Sequence, residues 1–255
     1  MKINRSVSKL NALMRIQFCH SDYPYPNLEP TAKKIAEFLF TYRSQFRLFC
    51  EFMRISSTWT LDNYKTKLQK WSQAIAPNRK KAAPDTLQLI NLTHEFFSVC
   101  QNEEDRKKMR GLVPEKLFEK VFSLRHSGKK GVFGYGVMVV VDGKPVKYIP
   151  TFSYKKEDDS DVYRQTVDAG FWDGKVGEFA EVKFSPEAFH TKDIKYLQLL
   201  ANELNTAGLN YSILLVSFDN KELIRFKLQR LGLWKKEDSF YLIGRDELFQ
   251  WGMNS

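Results

Sequence analysis

The chain has 255 residues, of which 43% are hydrophobic and 27% charged, and it carries a formal net charge of +10. This apolar content suffices for a packed core and excludes wholesale disorder, and no apolar run approaches the ~20 residues that span a bilayer. Residues 1–110 carry 19 Lys/Arg against 10 Asp/Glu, or +9, whereas residues 111–255 carry 21 against 20, or +1. The basic first half indicates contact with a polyanion, with a basic surface kept for solubility as the alternative.

The N-terminal residues and the cysteines indicate a cytoplasmic protein. The start, MKINRSVSKLNALMRIQ, is basic but lacks a continuous apolar stretch, so we expect no signal peptide. The three cysteines, Cys19, Cys50 and Cys100, are odd in number and show no metal-type pairing. This pattern favours a reducing compartment over a disulfide framework or a zinc site, and we expect no membrane partner.

Helical spacing dominates the first half of the chain. After Pro30, the segment AKKIAEFLFTYRSQFRLFCEFMRI has its apolar residues at helical spacing and predicts one long helix. Thr60 is a suitable cap for a second helix, LDNYKTKLQKWSQAIA, which Pro77 ends. A third helix, capped by Asp85, is expected to run through Phe97 and Cys100. Residues 1–110 are therefore predicted to be a basic, all-helical domain.

Two features of this helical half are candidate contacts for nucleic acid. The loop PNRKKAAPD places Arg79, Lys80 and Lys81 side by side, a pattern typical of phosphate contacts, and a solvated linker explains it equally well. The aromatic residues around Tyr64 and Trp71 alternate with lysines and resemble a base-stacking surface. An amphipathic helix that buries both rings explains them more simply.

The pattern changes after the polar stretch QNEEDRKKMRG, and we place a domain boundary near Gly111. A helix is predicted from Pro114, EKLFEKVFSLRH, followed by the strand VFGYGVMVVV. The turn at Asp142-Gly143 predicts a hairpin into VKYIPTF, and KKEDDSD is expected to be a charged loop.

The remaining elements complete the predicted second domain, residues 111–255. The strands TVDAGFW and EFAEVKF are joined at Asp173-Gly174, a tight-turn pair. A helix over 191–206 follows, then the apolar strand YSILLVSF, the helix KELIRFKLQRLG and the short strand SFYLIG. This order predicts an α/β (α+β) fold with a mixed central sheet flanked by helices.

Three charged residues interrupt the apolar frame of the two paired strands. Asp168 lies on the first, and Glu181 and Lys183 occupy alternate positions of the second, so the last two share a face. Carboxylates suit hard divalent cations, which neutralise the charge that builds on a phosphate during hydrolysis. Lys183 is expected to orient or help deprotonate the attacking water and to steady the transition state. An exposed salt bridge is the alternative.

Residues of about 112–218 resemble the PD-(D/E)XK nuclease superfamily. Its motif is an Asp on one strand, ten or more residues, and then Glu/Asp-x-Lys on the neighbouring strand; here Asp168 precedes Glu181-Val182-Lys183. The chain departs from the signature at Val167, where the family often has Pro. The resemblance implies a restriction-endonuclease-like core. It also implies Mg²⁺, replaceable by Mn²⁺, held by Asp168, Glu181 and the carbonyl of Val182.

The resemblance extends to the flanking helices. Many members have a Glu on the preceding helix in an apolar context ending at Gly, and Leu117-Phe118-Glu119 with Gly128 matches that context. It implies that Glu119 reaches the metal through a water, with Glu115, one turn earlier, as the alternative. Gln198, on the following helix, is implied as an extra water or phosphate contact.

The function implied is that of a metal-dependent endonuclease hydrolysing DNA, of the restriction, defence or mobile-element type. A double-strand break from one site per chain requires a homodimer or two successive nicks. One alternative keeps the chemistry but acts on RNA or branched DNA. Another is a non-catalytic nucleic-acid-binding or assembly protein on the nuclease fold.

Overall fold

The chain forms two compact units. A computed structural model describes residues 12–20, 25–149, 164–234 and 240–254. The helical unit comprises Pro24–Val121, and the sheet unit comprises Met1–Tyr23 with Phe122–Ser255. Parts of the predicted strand VKYIPTF and the whole loop KKEDDSD lie outside the described residues.

The described residues of the helical unit form five α-helices. They are α1 Glu29–Thr41, α2 Phe46–Ile55, α3 Tyr64–Ile75, α4 Pro84–Ser98 and α5 Glu103–Arg125, whose last residues belong to the sheet unit. The long helix predicted after Pro30 is interrupted at Tyr42, where φ is −106° and ψ is 68°, and a 3₁₀ turn, Arg43–Gln45, precedes α2. An aromatic core centred on the fully buried Phe52 holds the helices together, since its ring contacts Trp59, Trp71, Phe96 and Phe97.

Helix α5 is continuous where the sequence predicts a linker and a new helix. Gly111 and Pro114 both lie inside it, so the division between the units falls later than the boundary predicted near Gly111. Three acidic residues in its first turn stabilise the helix, because their negative charges interact favourably with the positive N-terminal end of the helix dipole. Pro114 removes one intrahelical hydrogen bond, but Val113 and Leu117 on either side are fully buried. Packing therefore outweighs the local helix breaker.

A seven-stranded mixed sheet forms the second unit. Its strands are β1 Ile16–His20, β2 Val132–Val141, β3 Lys144–Pro145, β4 Thr166–Trp172, β5 Val176–Lys183, β6 Asn210–Ser217 and β7 Phe240–Ile243. Their spatial order is β1-β2-β4-β5-β6-β7, with β3 beside β2. The pairs from β1 to β5 are antiparallel, and β5–β6 and β6–β7 are parallel. The predicted mixed sheet is confirmed.

Helices flank this sheet, as the sequence predicts. They are α6 Thr191–Thr206, α7 Lys221–Arg230 and α8 Leu248–Met253, the last of which the sequence did not predict. The apolar residues of α6 and α7 form one buried core with Phe179 of β5 and Ile213 and Leu215 of β6. Phe179 therefore points to the face of the sheet that these helices cover. Because alternate residues of a strand share a face, Glu181 and Lys183 point to that face too.

Strand β1 was not predicted as part of the sheet, yet it shapes the neighbouring strands. Its residue Phe18 lies so close to β2 and β4 that a Cβ on Gly134 or Gly170 would come within 2.7 Å or 2.5 Å of it. The glycines of these strands therefore provide room for an aromatic ring. Strand β2 pairs with β4 at Tyr135–Ala169 and at Val137–Val167, but Gly136 between them is unpaired in this ladder. Its φ of 58° is a conformation that favours glycine.

Candidate active site

The β4–β5 pairing brings the two predicted acids together. Ala169 pairs with Ala180, and the next step along this antiparallel ladder places Asp168 opposite Glu181, on one face of the sheet. Glu181 is fully buried and Asp168 largely so: the side chain of Asp168 is 11% exposed and that of Glu181 is 0% exposed. Lys183 Nζ contacts Glu181 Oε1 and lies 4.0 Å from Asp168 Oδ2. The three charged residues of the sequence motif thus form one cluster.

A residue that the sequence analysis missed, Arg164, lies at the centre of this cluster. Its Nη2 donates to both oxygens of Glu181, at 2.8 and 2.7 Å, and lies 3.4 Å from Asp168 Oδ1. Arg164 pairs with Tyr148 in an isolated bridge just before β4. An available signal was its position four residues before Asp168, an even spacing that puts both side chains on one face of an extended chain.

The backbone of β5 also contributes to the site. The amide of Val182 donates a hydrogen bond to Asp168 Oδ2 at 2.7 Å. The β4–β5 pairing ends at Ala169–Ala180, so the carboxylate of Asp168 provides the acceptor for the next part of β5. This bond fixes the orientation of Asp168 relative to the Glu-Val-Lys segment. The resemblance also implies that the carbonyl of Val182 binds the metal, and this role stays a prediction.

Helix α6 supplies two further residues that the sequence analysis missed. Asp193 Oδ1 lies 3.7 Å from Arg164 Nε, and its Oδ2 accepts from the backbone amide of His190 in a capping box. The His-x-x-Asp spacing at the start of the helix was the available signal. Tyr196, one turn later, is fully buried, and its pKa is raised by burial and by the negative charge of Glu181.

Burial and charge act differently on the two strand acids. Burial, together with the negative charge of Glu181, raises the pKa of Asp168 from 3.8 to about 6. Burial also opposes ionisation of Glu181, but the positive charges of Arg164 and Lys183 outweigh it, so the pKa of Glu181 lies below its ordinary value. A proton that enters the pair therefore goes to Asp168, the acid farther from both cations.

Lys183 is held as an ammonium ion. Burial acts to lower its pKa, but the neighbouring carboxylates of Glu181 and Asp168 outweigh burial and raise it above the ordinary value. A lysine in this environment donates hydrogen bonds and positive charge and does not accept a proton at neutral pH. Of the predicted roles, the geometry favours orienting water and stabilising a phosphate over deprotonating water.

The donor set is suited to a hard divalent cation that keeps most of its waters. Within the described ranges, no three His, Cys, Asp or Glu side chains are grouped so that they could hold a metal ion together. The carboxylates of Asp168 and Glu181 nevertheless converge on the same two positive groups, those of Arg164 and Lys183. Mg²⁺ is commonly bound through one or two carboxylates, with waters and substrate phosphates completing its shell. Asp168 and Glu181 fit that role.

Two predicted site residues lie on helices, and their roles stay predictions. Glu119 belongs to the helical unit, where its Oε1 accepts from Lys116 Nζ at 2.6 Å. Gln198 is half-buried on α6. It lies on a different side of that helix from Asp193 and Tyr196, since residues two or five positions apart do not share a helical face.

The predicted phosphate-binding residues lie in the helical unit, in the turns between α3 and α4. The side chains of Arg79 and Lys80 line a groove there, together with residues of both helices. Lys81 is exposed, and its backbone amide donates to Asn78 O within the loop. Among the described residues, no helix is long and apolar enough to cross a membrane.

Comparison with known proteins gives little beyond this geometry. No family model matches the chain, and no curated protein matches it. Among solved structures, the chain is similar to the crystal structure of protein VC1899 from Vibrio cholerae, with 15% sequence identity and a TM-score of 0.43. The match covers 95% of this chain and 58% of that protein, so the chain spans less than two thirds of its length.

Proposed function

We propose that this protein is a metal-dependent endonuclease that hydrolyses DNA phosphodiester bonds, with a PD-(D/E)XK-like site in its sheet unit. The observation that carries the proposal is the burial of Asp168 opposite Glu181, with Lys183 on the same face. Two buried acids beside a lysine match the charge distribution that phosphoryl hydrolysis requires: acids to bind a cation and a cation to bind the phosphate.

The order of elements supports a restriction-endonuclease-like core. The end of α5 leads into β2, β4 and β5, which pair antiparallel, and α6 then crosses to β6, which runs parallel to β5. This is the helix, three strands, helix and strand order of the superfamily that the sequence resembles. In both cases the acids lie on the second and third of these strands.

Each residue of the site has a definable role in the proposed reaction. Asp168 and Glu181, with the carbonyl of Val182, would hold Mg²⁺ or Mn²⁺, which when bound supplies positive charge to the reacting phosphate. The Lys183 ammonium orients the attacking water and stabilises the phosphate as its charge increases. The Arg164 guanidinium, with its forked donors, can bind phosphate oxygens in two-point contacts.

The test is cleavage of defined substrates by the purified protein and matched variants. Supercoiled plasmid, single-stranded DNA, branched DNA and RNA are each incubated with Mg²⁺, Mn²⁺ or EDTA. Asp168→Asn and Lys183→Ala remove the proposed groups. Asp173→Asn and Lys175→Ala make the same chemical changes at the β4–β5 turn, where the Asp173 side chain accepts hydrogen bonds from the backbone amides of Lys175 and Val176.

The expected result is metal-dependent plasmid cleavage that Lys183→Ala reduces by about 10²–10⁴-fold and that Asp168→Asn abolishes. The two turn variants should cut like the wild type. Cleavage that survives Asp168→Asn places the site elsewhere. Cleavage of RNA or branched DNA alone reassigns the substrate, and no cleavage of any substrate with either metal rejects the enzyme.

A second candidate is a nucleic-acid-binding or assembly protein that keeps this fold without turnover. It is favoured by the contacts of Arg164 and Lys183, which already neutralise both strand acids without a metal. In that protein the cluster is a structural ion network, and Mg²⁺ leaves its thermal stability unchanged. For the enzyme, Mg²⁺ raises the melting temperature of the wild type and has no effect on Asp168→Asn.

A further inference from the structure

A groove of about 980 Å³ lies in the helical unit, and no residue that the proposed chemistry uses lines it. One wall is α3, the opposite wall is α4, and the loop after Pro77 closes one end. Its polar and charged lining is exposed and includes Lys65, Gln69, Gln73, Arg79, Lys80 and His94. A pocket of this volume is at the upper end of the range that small ligands occupy.

The α3 wall is a continuous stripe of hydrogen-bond donors. Lys65, Gln69 and Gln73 are spaced four residues apart, so their side chains line up along one helical face. Each can donate through an ammonium or amide group to oxygen atoms on a ligand. A row of donors along a helix suits a ligand that is itself extended and carries repeated acceptors.

The groove is positively charged. Within the described part of the chain, the side chains of Lys65, Arg79 and Lys80 form no ion pair, so their charges are available to a ligand. The one acid in the lining, Glu95, is bound by Lys34 Nζ at 2.7 Å to both carboxylate oxygens. The helical unit as a whole carries 17 Lys/Arg against 11 Asp/Glu over residues 24–121, or +6.

An aromatic ring is fixed at the end of the α3 stripe. Tyr64 lines the groove and stacks on Phe97, with ring centroids 4.6 Å apart and planes 10° from parallel. Phe97 is 1% exposed, so it holds Tyr64 from behind and limits its rotation. A rigid, half-buried ring beside unpaired cations is the combination by which proteins bind single-stranded nucleic acids, with bases stacked on the ring and phosphates on the cations.

We propose that this groove binds a short stretch of single-stranded nucleic acid. Phosphates contact Arg79, Lys80 and Lys65, and a base stacks on Tyr64. A single strand can present both its bases and its phosphates to such a groove, whereas the bases of a duplex are stacked inside it, so single strands are the expected ligand. The inference deepens the proposed function, on which it rests for its substrate class: it specifies that the helical unit captures unpaired strands.

The test measures binding in EDTA, so that cleavage does not contribute. Fluorescein-labelled (dT)₁₅ is titrated with the full chain and followed by anisotropy at several salt concentrations. Arg79→Ala/Lys80→Ala removes two proposed phosphate contacts. The matched control, Lys67→Ala/Lys70→Ala, removes the same charge from α3 at residues that do not line the groove.

The groove variant should bind at least tenfold more weakly than the control. Its slope of log affinity against log salt should be smaller by about 1.4, since each phosphate contact on a single strand contributes about 0.7. Tyr64→Leu should weaken binding about tenfold with an unchanged slope, and Tyr64→Phe, which keeps the ring, should bind like the wild type. Circular dichroism verifies that each variant is folded.

Equal affinity and slope for the groove variant and its control would overturn the proposal. Binding of a 15-base-pair duplex as tight as that of (dT)₁₅ would overturn its restriction to single strands. The proposed function is tested independently, because the cleavage assay compares variants of Asp168 and Lys183, whereas the binding assay in EDTA compares variants of the groove. If the groove variant alone loses binding while no substrate is ever cut, the groove stands and the nuclease does not. If the wild type cuts DNA while the groove variant binds like its control, the nuclease stands and the groove does not.

Discussion

The proposed function requires Asp168 to be ionised, but ionisation of Asp168 destabilises the folded protein. In the metal-free protein, burial and Glu181 raise the pKa of Asp168 from 3.8 to about 6. Since one pKa unit corresponds to about 1.4 kcal/mol, ionised Asp168 destabilises the folded protein by about 3 kcal/mol at neutral pH. The sign follows from linkage. Between these two pKa values the folded state binds more protons than the unfolded state, so stability falls as pH rises.

Asp168→Asn removes this titration and provides the reference. The free energy of unfolding is measured by urea denaturation in EDTA at pH 4, 5, 6 and 7 for both proteins. The stability of the wild type relative to Asp168→Asn should fall by about 2 kcal/mol from pH 4 to pH 7, most of the full effect. Adding Mg²⁺ at pH 7 should restore stability to the wild type only, because the cation binds the ionised pair.

A relative stability that rises with pH would refute this reasoning. It would mean that Arg164 and Lys183 hold Asp168 as a stabilised carboxylate, which is the behaviour of an ordinary buried ion pair. If Mg²⁺ does not raise the stability of the wild type, that result would likewise indicate an ordinary buried ion pair. The pH dependence and the Mg²⁺ effect together distinguish a cation-binding site, in which ionised Asp168 destabilises the metal-free protein, from a structural ion network.

Three further predictions concern residues outside the candidate site. Burial opposes ionisation of Glu178, but hydrogen bonds from His126 and Arg125 lower its pKa to about 2, so Glu178→Gln should cost about 3 kcal/mol at pH 7 and much less at pH 3, by urea unfolding. Gly170→Ala should cost about 1–3 kcal/mol through collision with Phe18, and a second change, Phe18→Leu, should recover part of it. Native thiol titration should label one cysteine per chain, the exposed Cys19, and denatured protein all three.

The strands that carry the motif were predictable because local and tertiary signals agree there. The run TVDAGFW corresponds to β4 residue for residue, and Asp173-Gly174 forms the turn that pairs β4 with β5. Alternation along a strand is enough to place Glu181 and Lys183 on one face. Pairing across a tight turn needs only sequence-local information, so this part of the candidate site followed from the sequence.

Contacts between distant segments were not predictable in the same way. Arg164 was missed because an isolated arginine before a strand has no motif, and its partners become evident only when β4, β5 and α6 are assembled. Asp193 was overlooked for the same reason, although its capping position was visible. Helix α5 continues past Pro114 because buried neighbours outweigh a local breaker, an effect that no single-residue preference encodes.

The charge balance of the cluster also bears on whether it serves binding. Among the residues that the structure describes, two cations, Arg164 and Lys183, face three acids: Asp168, Glu181 and Asp193. A buried ion network of this kind contributes little net stability, and apolar residues of similar volume commonly replace one at no loss. The cluster is one positive charge short of balance, so under the proposed function a bound divalent cation would more than offset the excess negative charge. A bound divalent ion would then compete with Arg164 for the two strand acids and free its guanidinium for a phosphate.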